Sequence, residues 1–546
     1  MMASGICNPV DSFYLLFEPN CLSHAFPSPN RLQMRLLWRA VLLLVGGWLL
    51  LRCQPAGPAA ALPDTALTSG QLAQRYCASC HLFPEPALLD KATWTRSVLP
   101  AMAWRLGIRD TAYQPLLGRN MSEQYLIRQA TVFPDSAQLS LASWQRIVDY
   151  YDSLAPAQLL SPAIEGDTAL PKAPFALRPV ALRANTDGRF TLLRQHPDTK
   201  KIYLADGLRT LYQLNDSARV EHSFALPDAV TDIHFNRDGT MYLLTIGDLN
   251  PHDEPLGGLF SLNGQGTLKL LIRELSRPVH MNVHDLDQDG QEDVVICEFG
   301  NYVGRLSWFR QTADGFEKRV LWENPGAVKT MVRDLDQDGR PDLLALIAQG
   351  REGVYAFYNQ GDGRFRMQPL LQFPPVYGSS DFTLADVDRD GDEDLLLAQG
   401  DNADLSNILK PYHGVRIYRN EGDYRFREAY FYPMYGATRI VSEDFDADGD
   451  MDVAISAYFP DFGADNPRSF VYLENTTTSS LAFVSHTLDG LDAGRWLIIE
   501  PIYQPGQPAP GIMLGALNLE LARKVEEEMA QRKEWNANLM MLNLDL

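Results

Sequence analysis

Cysteine is scarce in this chain, six among 546 residues, so a small scaffold stapled by disulfides is excluded and no pair is expected to be joined. Positive charge is in short supply as well. Forty-eight Lys and Arg face 69 Asp and Glu, a formal net charge of -21, which argues against binding nucleic acid or anionic lipid through a basic surface. The charge-free run Ala40 to Leu51 is 12 residues long, short of the roughly 20 that span a bilayer. Nor is there a G-x-S-x-G elbow, an H-E-x-x-H pair or a P-loop, the local signatures of α/β-hydrolases, zinc proteases and nucleotide sites. What remains is ordinary: 45% hydrophobic and 10% aromatic residues build globular cores, and the length allows two or more domains.

Residues 1–65 read as a leader and tether. Arg31, Arg35 and Arg39 precede the apolar run, the pattern of an export signal. The segment ending Leu50-Leu51-Arg52-Cys53 resembles a bacterial lipoprotein signal, which implies a lipid on Cys53. Arg52 stands where that pattern has a small residue, so cleavage near Pro58-Ala59-Ala60-Ala61 and an uncleaved leader acting as membrane tether stay open. A start at Met34 stays open too. Ala56 to Thr68, rich in Ala and Pro, is the tether.

Cys77-Ala78-Ser79-Cys80-His81 is the one C-x-x-C-H motif. At this spacing two thiols can bond the vinyl groups of a haem while the histidine ligates its iron. Zinc would need a second ligand pair, and the remaining cysteine of the folded body, Cys297, sits in an apolar strand-like run as a buried free thiol. A thioredoxin-like pair would need a βαβ setting that Ser69 to Tyr76 does not offer. The iron needs a sixth ligand. Met102, just after Pro100, is favoured over Met121, and no histidine follows His81 within residues 66–157 to compete.

Residues 66–157 read as helices: Gly70 to Cys77, Lys91 to Leu106, and an amphipathic stretch from Leu141 to Leu154. This segment resembles a class I cytochrome c domain, in which the closing helix packs on the opening one. Residues 158–177, with Pro162, Pro171 and Pro174, read as a linker, either a stiff spacer or a packed crossover.

The rest of the chain repeats itself. Four segments follow D-x-D-x-D-G-x-x-D: Asp285, Asp287, Asp289 and Asp293; Asp334, Asp336, Asp338 and Asp342; Asp386, Asp388, Asp390 and Asp394; Asp444, Asp446, Asp448 and Asp452. Carboxylates at positions one, three, five and nine around a turn glycine, with the carbonyl of position seven, make an oxygen cage for Ca2+. The Glu at position twelve of an EF-hand is missing, and each loop runs straight into a strand-like stretch such as Val294-Val295-Ile296-Cys297, so EF-hands fit poorly. A second element recurs between the loops, a short strand ending near asparagine: Gly353 to Asn359, Gly414 to Asn420 and Phe470 to Asn475, with weaker copies at Leu211 to Asn215, Leu259 to Asn263, Arg305 to Gln311 and Asn538 to Asn543. Seven copies of roughly 53 residues predict a seven-bladed all-β propeller over 178–546. Asn236 to Gly239 is a loop with too few carboxylates for calcium, and Val525 to Lys533 reads as a helical insertion.

These repeats resemble the FG-GAP or VCBS family, whose propellers bind calcium in loops of this pattern. Joined to the haem segment, they resemble exported bacterial proteins that combine a cytochrome c with such a propeller. The resemblance implies haem c and Ca2+ as cofactors and a periplasmic or outer-surface location. Structural calcium is the expected role. One functional reading is a one-electron carrier whose propeller docks a redox partner protein, or an envelope glycan or protein ligand. The second is a dehydrogenase in which the propeller oxidises a small molecule and passes electrons to the haem; a third is an adhesion module. Whether the chain is an enzyme stays open. His280, beside His284, could meet Glu298 and Asn301 at the end of a propeller channel.

Overall fold

The computed structural model describes residues 62–544, apart from 112, 161–174, 181, 183–188, 216, 403–404, 406–407, 465–466, 478–480, 489–490, 492–494 and 518–538. The expected export signal, Cys53, most of the linker and the expected insertion at Val525 to Lys533 lie outside the described residues. Among the described residues no helix is long and apolar enough to cross a membrane.

Helix α1 (Ser69–Cys77) is started by a reciprocal cap: the Thr68 side chain accepts from Gln71 N–H, and the Gln71 side chain accepts from Thr68 N–H. A middle helical stretch starts at Lys91–Thr93, capped by Asp90, widens to a π turn over Trp94–Val98, and continues as α2 (Leu99–Arg105). The wide turn, in which Leu99 N–H reaches Trp94 O, sits just ahead of Pro100, which has no N–H to give. Helix α3 (Met121–Gln129), passed over by the sequence reading, is capped by Asn120; α4 (Leu141–Leu154) is capped by Ser140. Helices α1 and α4 cross. Gly70 lets them approach, since a Cβ there would lie 3.1 Å from Tyr150 Cε2. Leu72, Trp94, Leu99, Ile147 and Tyr151 form the core of this segment, with Cys77 and Met102 packed against it.

The remainder folds into seven four-stranded antiparallel sheets. Six are built from consecutive strands, with first strands Phe190–Gln195, Val230–Phe235, Pro278–His284, Ala327–Arg333, Ser379–Ala385 and Ala437–Glu443. The seventh starts at Trp496–Ile502, and its outer strand is Phe175–Pro179, which pairs with Leu539–Leu544. The linker expected over 158–177 therefore ends in a strand. Its partner lies more than 350 residues away, so no local pattern announces it.

Ring closure follows from the alternation of each second strand, apolar on both faces. Val295 packs toward sheet four and Ile296 toward sheet two; Leu343 faces sheet three and Leu344 sheet five; Val453 faces sheet five and Ala454 sheet seven. Ile498 and Met513 of the seventh sheet pack with Phe190 and Leu204 of the first. Each such side chain, fully buried, contributes about 1.5–3 kcal/mol. Every first strand carries a bulge near its start, between Phe190 and Leu192 in sheet one and between Trp496 and Ile498 in sheet seven, with counterparts between. The result is an all-β propeller.

The helical segment and the sheets form one compact unit from Leu67 onward. Among the described residues the helical segment meets connections between second and third strands and between one sheet and the next. Val376, Leu405 and Ile408 pack on the helical core, and Tyr412 Oη donates to Leu88 O at 2.9 Å. The acidic loops join first to second strands, so in an antiparallel sheet they lie at the opposite end.

Candidate functional site

The C-x-x-C-H motif begins at the last residue of α1. Cys77 and Cys80 are both free thiols, Cys77 half-buried and Cys80 exposed. Burial pushes the Cys77 thiol up to about 11, moderated by a hydrogen bond with Tyr151. His81 Nδ1 lies 2.8 Å from Leu82 O. A carbonyl oxygen only accepts, so Nδ1 carries the proton and Nε2 keeps the lone pair. That is the tautomer and second contact a metal-bound imidazole uses. Burial, with Arg105 adding, holds His81 below its ordinary pKa and therefore neutral, the ligating form. These residues fit a covalent haem. Met102 is half-buried against the same core as Cys77, whereas Met121 is 81% exposed at the start of α3.

The propeller reaches this motif. Arg351 Nε donates to Cys80 O at 3.3 Å. The Arg105 guanidinium lies 5.3 Å from the Phe133 ring and 5.2 Å from that of Tyr302, and the hydroxyls of Tyr113 and Tyr302 are 2.6 Å apart. Beside them Asp253 Oδ1 accepts from Tyr302 N–H at 2.6 Å and Val303 N–H at 2.7 Å. Asp253 N–H donates to Glu123 Oε1 at 3.0 Å, and Arg119 pairs with both Glu123 and Asp253. The buried Glu123 and Asp253 are thus each matched by a guanidinium and backbone donors, as carboxylates removed from water require.

In the acidic loops a glycine at position six, Gly290, Gly339, Gly391 or Gly449, adopts φ of +88°, +82°, +97° or +94°. Its N–H donates to the carboxylate at position one, Asp285, Asp334, Asp386 or Asp444, at 2.8–3.1 Å. The ninth carboxylate ties loop to strand. Asp342 Oδ2 accepts from Leu335 N–H at 2.9 Å and Oδ1 from Asn359 N–H at 2.6 Å, and Asp293, Asp394 and Asp452 repeat the pattern. The Asn359 side chain also donates to Pro341 O and, in the neighbouring sheet, to Leu286 O; Asn475 does the same to Met451 O and Val387 O. The sequence pattern showed the asparagine without its task, because the bonds cross between sheets.

Of the four aspartates expected to converge in each loop, three do, each offering an oxygen within 4.8 Å of the others: Asp285, Asp287 and Asp289; Asp334, Asp336 and Asp342; Asp386, Asp388 and Asp390; Asp444, Asp446 and Asp452. Asp293, Asp338, Asp394 and Asp448 stand outside these groups. Asp338 is drawn away by Arg340. Four carboxylate oxygens in these loops are buried without a hydrogen-bond partner, Asp287 Oδ1, Asp388 Oδ1, Asp444 Oδ1 and Asp450 Oδ1, as is compatible with a cation. Burial, with neighbouring carboxylates adding, pushes Asp394 to about 6 and Asp452 to about 7. The donor set is all oxygen and fits Ca2+.

Along the inner wall, charged side chains from successive first strands meet. Arg194 pairs with Asp232 at 3.5 Å and Glu500 at 3.3 Å; Lys329 pairs with Asp381 at 2.8 Å, and Arg439 lies 3.9 Å from Asp381. His280 Nε2 lies 3.9 Å from Asp232, and burial pushes its pKa down to about 4. The expected meeting of His280, Glu298 and Asn301 does not occur. Glu298 accepts instead from Ser276 N–H, Ser307 Oγ and Lys318 Nζ, and Asn301 Nδ2 reaches toward Asp253 at 3.4 Å. Glu298 lies at the end of a second strand, facing its own sheet.

A model of the FG-GAP-like repeat matches residues 285–345 and, overlapping, 334–397. No curated protein matches the chain. Solved structures similar to it include the Cps50 (Swd1) β-propeller domain of Myceliophteria thermophila, at 12% identity over 67% of this chain and 99% of that one, TM-score 0.41. The Pan2 WD40 domain of Neurospora crassa is similar at 9% identity over 63% of this chain and 94% of that one, TM-score 0.40. These likenesses add nothing to the topology above. The chain carries FG-GAP-like repeats within a β-propeller, an arrangement that points to a module for binding, with acidic loops compatible with Ca2+.

Proposed function

We propose that this chain is an exported one-electron carrier of the cell envelope, periplasmic or on the outer surface, with a lipid on Cys53 or an uncleaved leader as its tether. Cys77 and Cys80 would bond a haem, His81 would ligate its iron, and Met102 would supply the remaining ligand. The haem supplies a one-electron couple whose potential a thioether ligand raises. Calcium in the four loops stiffens the propeller, which presents the helical segment to a redox partner protein and holds an envelope glycan or protein ligand. The observation that supports the reading is His81: its Nδ1 bond to Leu82 O leaves the Nε2 lone pair available to a metal, within a C-x-x-C-H motif.

The dehydrogenase reading ranks below it. Its natural seat is the propeller channel, and there Arg194, Asp232, Lys329, Asp381 and Glu500 are engaged with one another rather than arrayed around a substrate.

The test is a reduced-minus-oxidised visible spectrum of protein made with c-type maturation machinery. A reduced α-band retained through denaturation, with a methionine-to-iron charge-transfer band lost in Met102→Ala, is the expected result. No haem in the wild type would sink the electron-transfer reading and leave a binding propeller. A charge-transfer band that survives Met102→Ala and disappears in Met121→Ala would move the ligand.

A further inference from the structure

Sheets four and six are tied to the sheet before them by the asparagine that ends the third strand, Asn359 reaching Leu286 O and Asn475 reaching Val387 O. Between the first and second sheets that tie is missing. The asparagine in the same place, Asn263, keeps its Oδ1 for its own turn, accepting from Gln265 N–H at 3.0 Å and Thr267 N–H at 2.8 Å. Among the described residues no hydrogen bond carries its side chain across to sheet one. The loop it would meet there, His196 to Lys200, lacks the acidic motif. What the seam holds instead is a cavity of about 380 Å3. Its rim is built from connections between first and second strands and between third and fourth strands, so it opens at the acidic-loop end of the propeller, away from the helical segment.

The lining combines ring faces with unspent hydrogen bonds, and its lysine is already matched. Tyr203 and Phe224 supply the rings. Lys201 pairs with Glu221 at 3.1 Å, and Gln213 Nε2 donates to the same carboxylate at 3.2 Å. His196 Nδ1 accepts from Asp198 N–H and Thr199 N–H, which places the proton of the neutral ring on Nε2, and burial favours that neutral form. Among the described residues neither that Nε2–H, nor the His222 ring, nor the Gln265 side-chain amide has a hydrogen-bond partner.

We propose that this cavity binds a neutral sugar, the end of a glycan chain. The proposal rests on the reading above, in which the propeller holds an envelope glycan or protein ligand, and deepens it by choosing the glycan and giving it a place. A charged ligand would give up its water here without meeting an unmatched opposite charge. A sugar brings hydroxyls for the imidazoles and the amide, and C–H faces for the two rings; pockets of this size combine apolar walls with a few orienting polar groups in this way. Bound there, it leaves the helical segment at the other end free for a redox partner.

The test is retention of the full chain on an array of neutral and acidic glycans, for wild type, Gly264→Phe and His222→Ala. A Cβ at Gly264 would meet no atom within 4 Å and the backbone there lies outside the left-handed region, so a ring at this position occupies the cavity without strain. His222 is exposed on the fourth strand of sheet one. Wild type is expected to be retained by neutral glycans and released by the free sugar. Gly264→Phe abolishes retention, and His222→Ala weakens it by about fivefold, the loss of one hydrogen bond, with urea midpoints close to wild type. Loss in either variant supports the site. Retention equal to wild type in both would overturn the site while leaving the glycan reading in place, and retention on acidic glycans alone would overturn the neutral class. No retention at all would overturn the site and the glycan reading together, without touching the electron-carrier reading, which the haem spectrum decides. Should Gly264→Phe fail to fold, His222→Ala decides alone.

Discussion

The side-chain amide of Asn359 donates to the carbonyl of Leu286, 2.7 Å away in the neighbouring sheet, while its backbone N–H holds Asp342. One residue thus joins two acidic loops. Asn359→Ala leaves the buried carbonyls of Leu286 and Pro341 without this donor, and the expected loss is about 1–3 kcal/mol, read as a lowered urea midpoint. Asn215→Ala, whose side chain bonds only within its own turn, is the control and is expected to change little.

Stability will depend on pH through His280. Its folded pKa, about 4, lies below the ordinary value because burial outweighs the attraction of Asp232 and Asp381, with Lys329 and Arg194 opposing the proton. The unfolded chain therefore binds more protons between pH 6.5 and 4. The contribution is complete above pH 6.5 and is lost as pH falls toward 4, up to about 3 kcal/mol. Urea midpoints of wild type and His280→Asn should converge on acidification. Carboxylates such as Asp394 and Asp452, raised in the fold, pull the other way in both proteins and cancel in the difference. Parallel curves would contradict the assignment.

Glu123 anchors α3 to the propeller through Asp253 N–H and Arg119. Glu123→Ala leaves the Asp253 N–H without its acceptor and removes one of the two carboxylates that pair with Arg119. Amide exchange of residues 121–129 is expected to quicken by at least tenfold, while exchange within the sheets stays as in wild type.

Chelation bears on the propeller alone. On the proposed reading, removing Ca2+ restores repulsion among Asp444, Asp446 and Asp452, so the thermal midpoint is expected to fall by several degrees in EGTA, with any haem spectrum unchanged. An unshifted midpoint would argue that the loops need no ion to fold.

What the sequence made legible was local. The acidic loops and the strands ending in asparagine each lie within about ten consecutive residues, so their spacing was visible, and Gly290 with its counterparts marked the turns. Relations between distant residues were not. Phe175 and Leu544 pair across nearly the whole chain. Asp232 and Arg194 look like unrelated polar residues until the sheets close. His280 was expected in a loop at the channel's end together with Glu298 and Asn301; it lies within a first strand beside Asp232, while Ser276, Ser307 and Lys318 bury Glu298. Likewise, nothing in the sequence of α3 announced that Asn120 and Glu123 would meet Glu254 and Asp253.

The inner wall also has a parity problem. Around the ring run Arg194, Asp232, His280, Lys329, Asp381, Arg439 and Glu500, one from each sheet. Signs can alternate without a fault only in an even ring; with seven members, two like charges must become neighbours unless one member is uncharged. His280, kept neutral by burial, is that member, and it separates Asp232 from Lys329 so that three cations and three anions alternate through the rest. A charged residue of either sign in its place would create a mismatch that no rearrangement of the other six can remove.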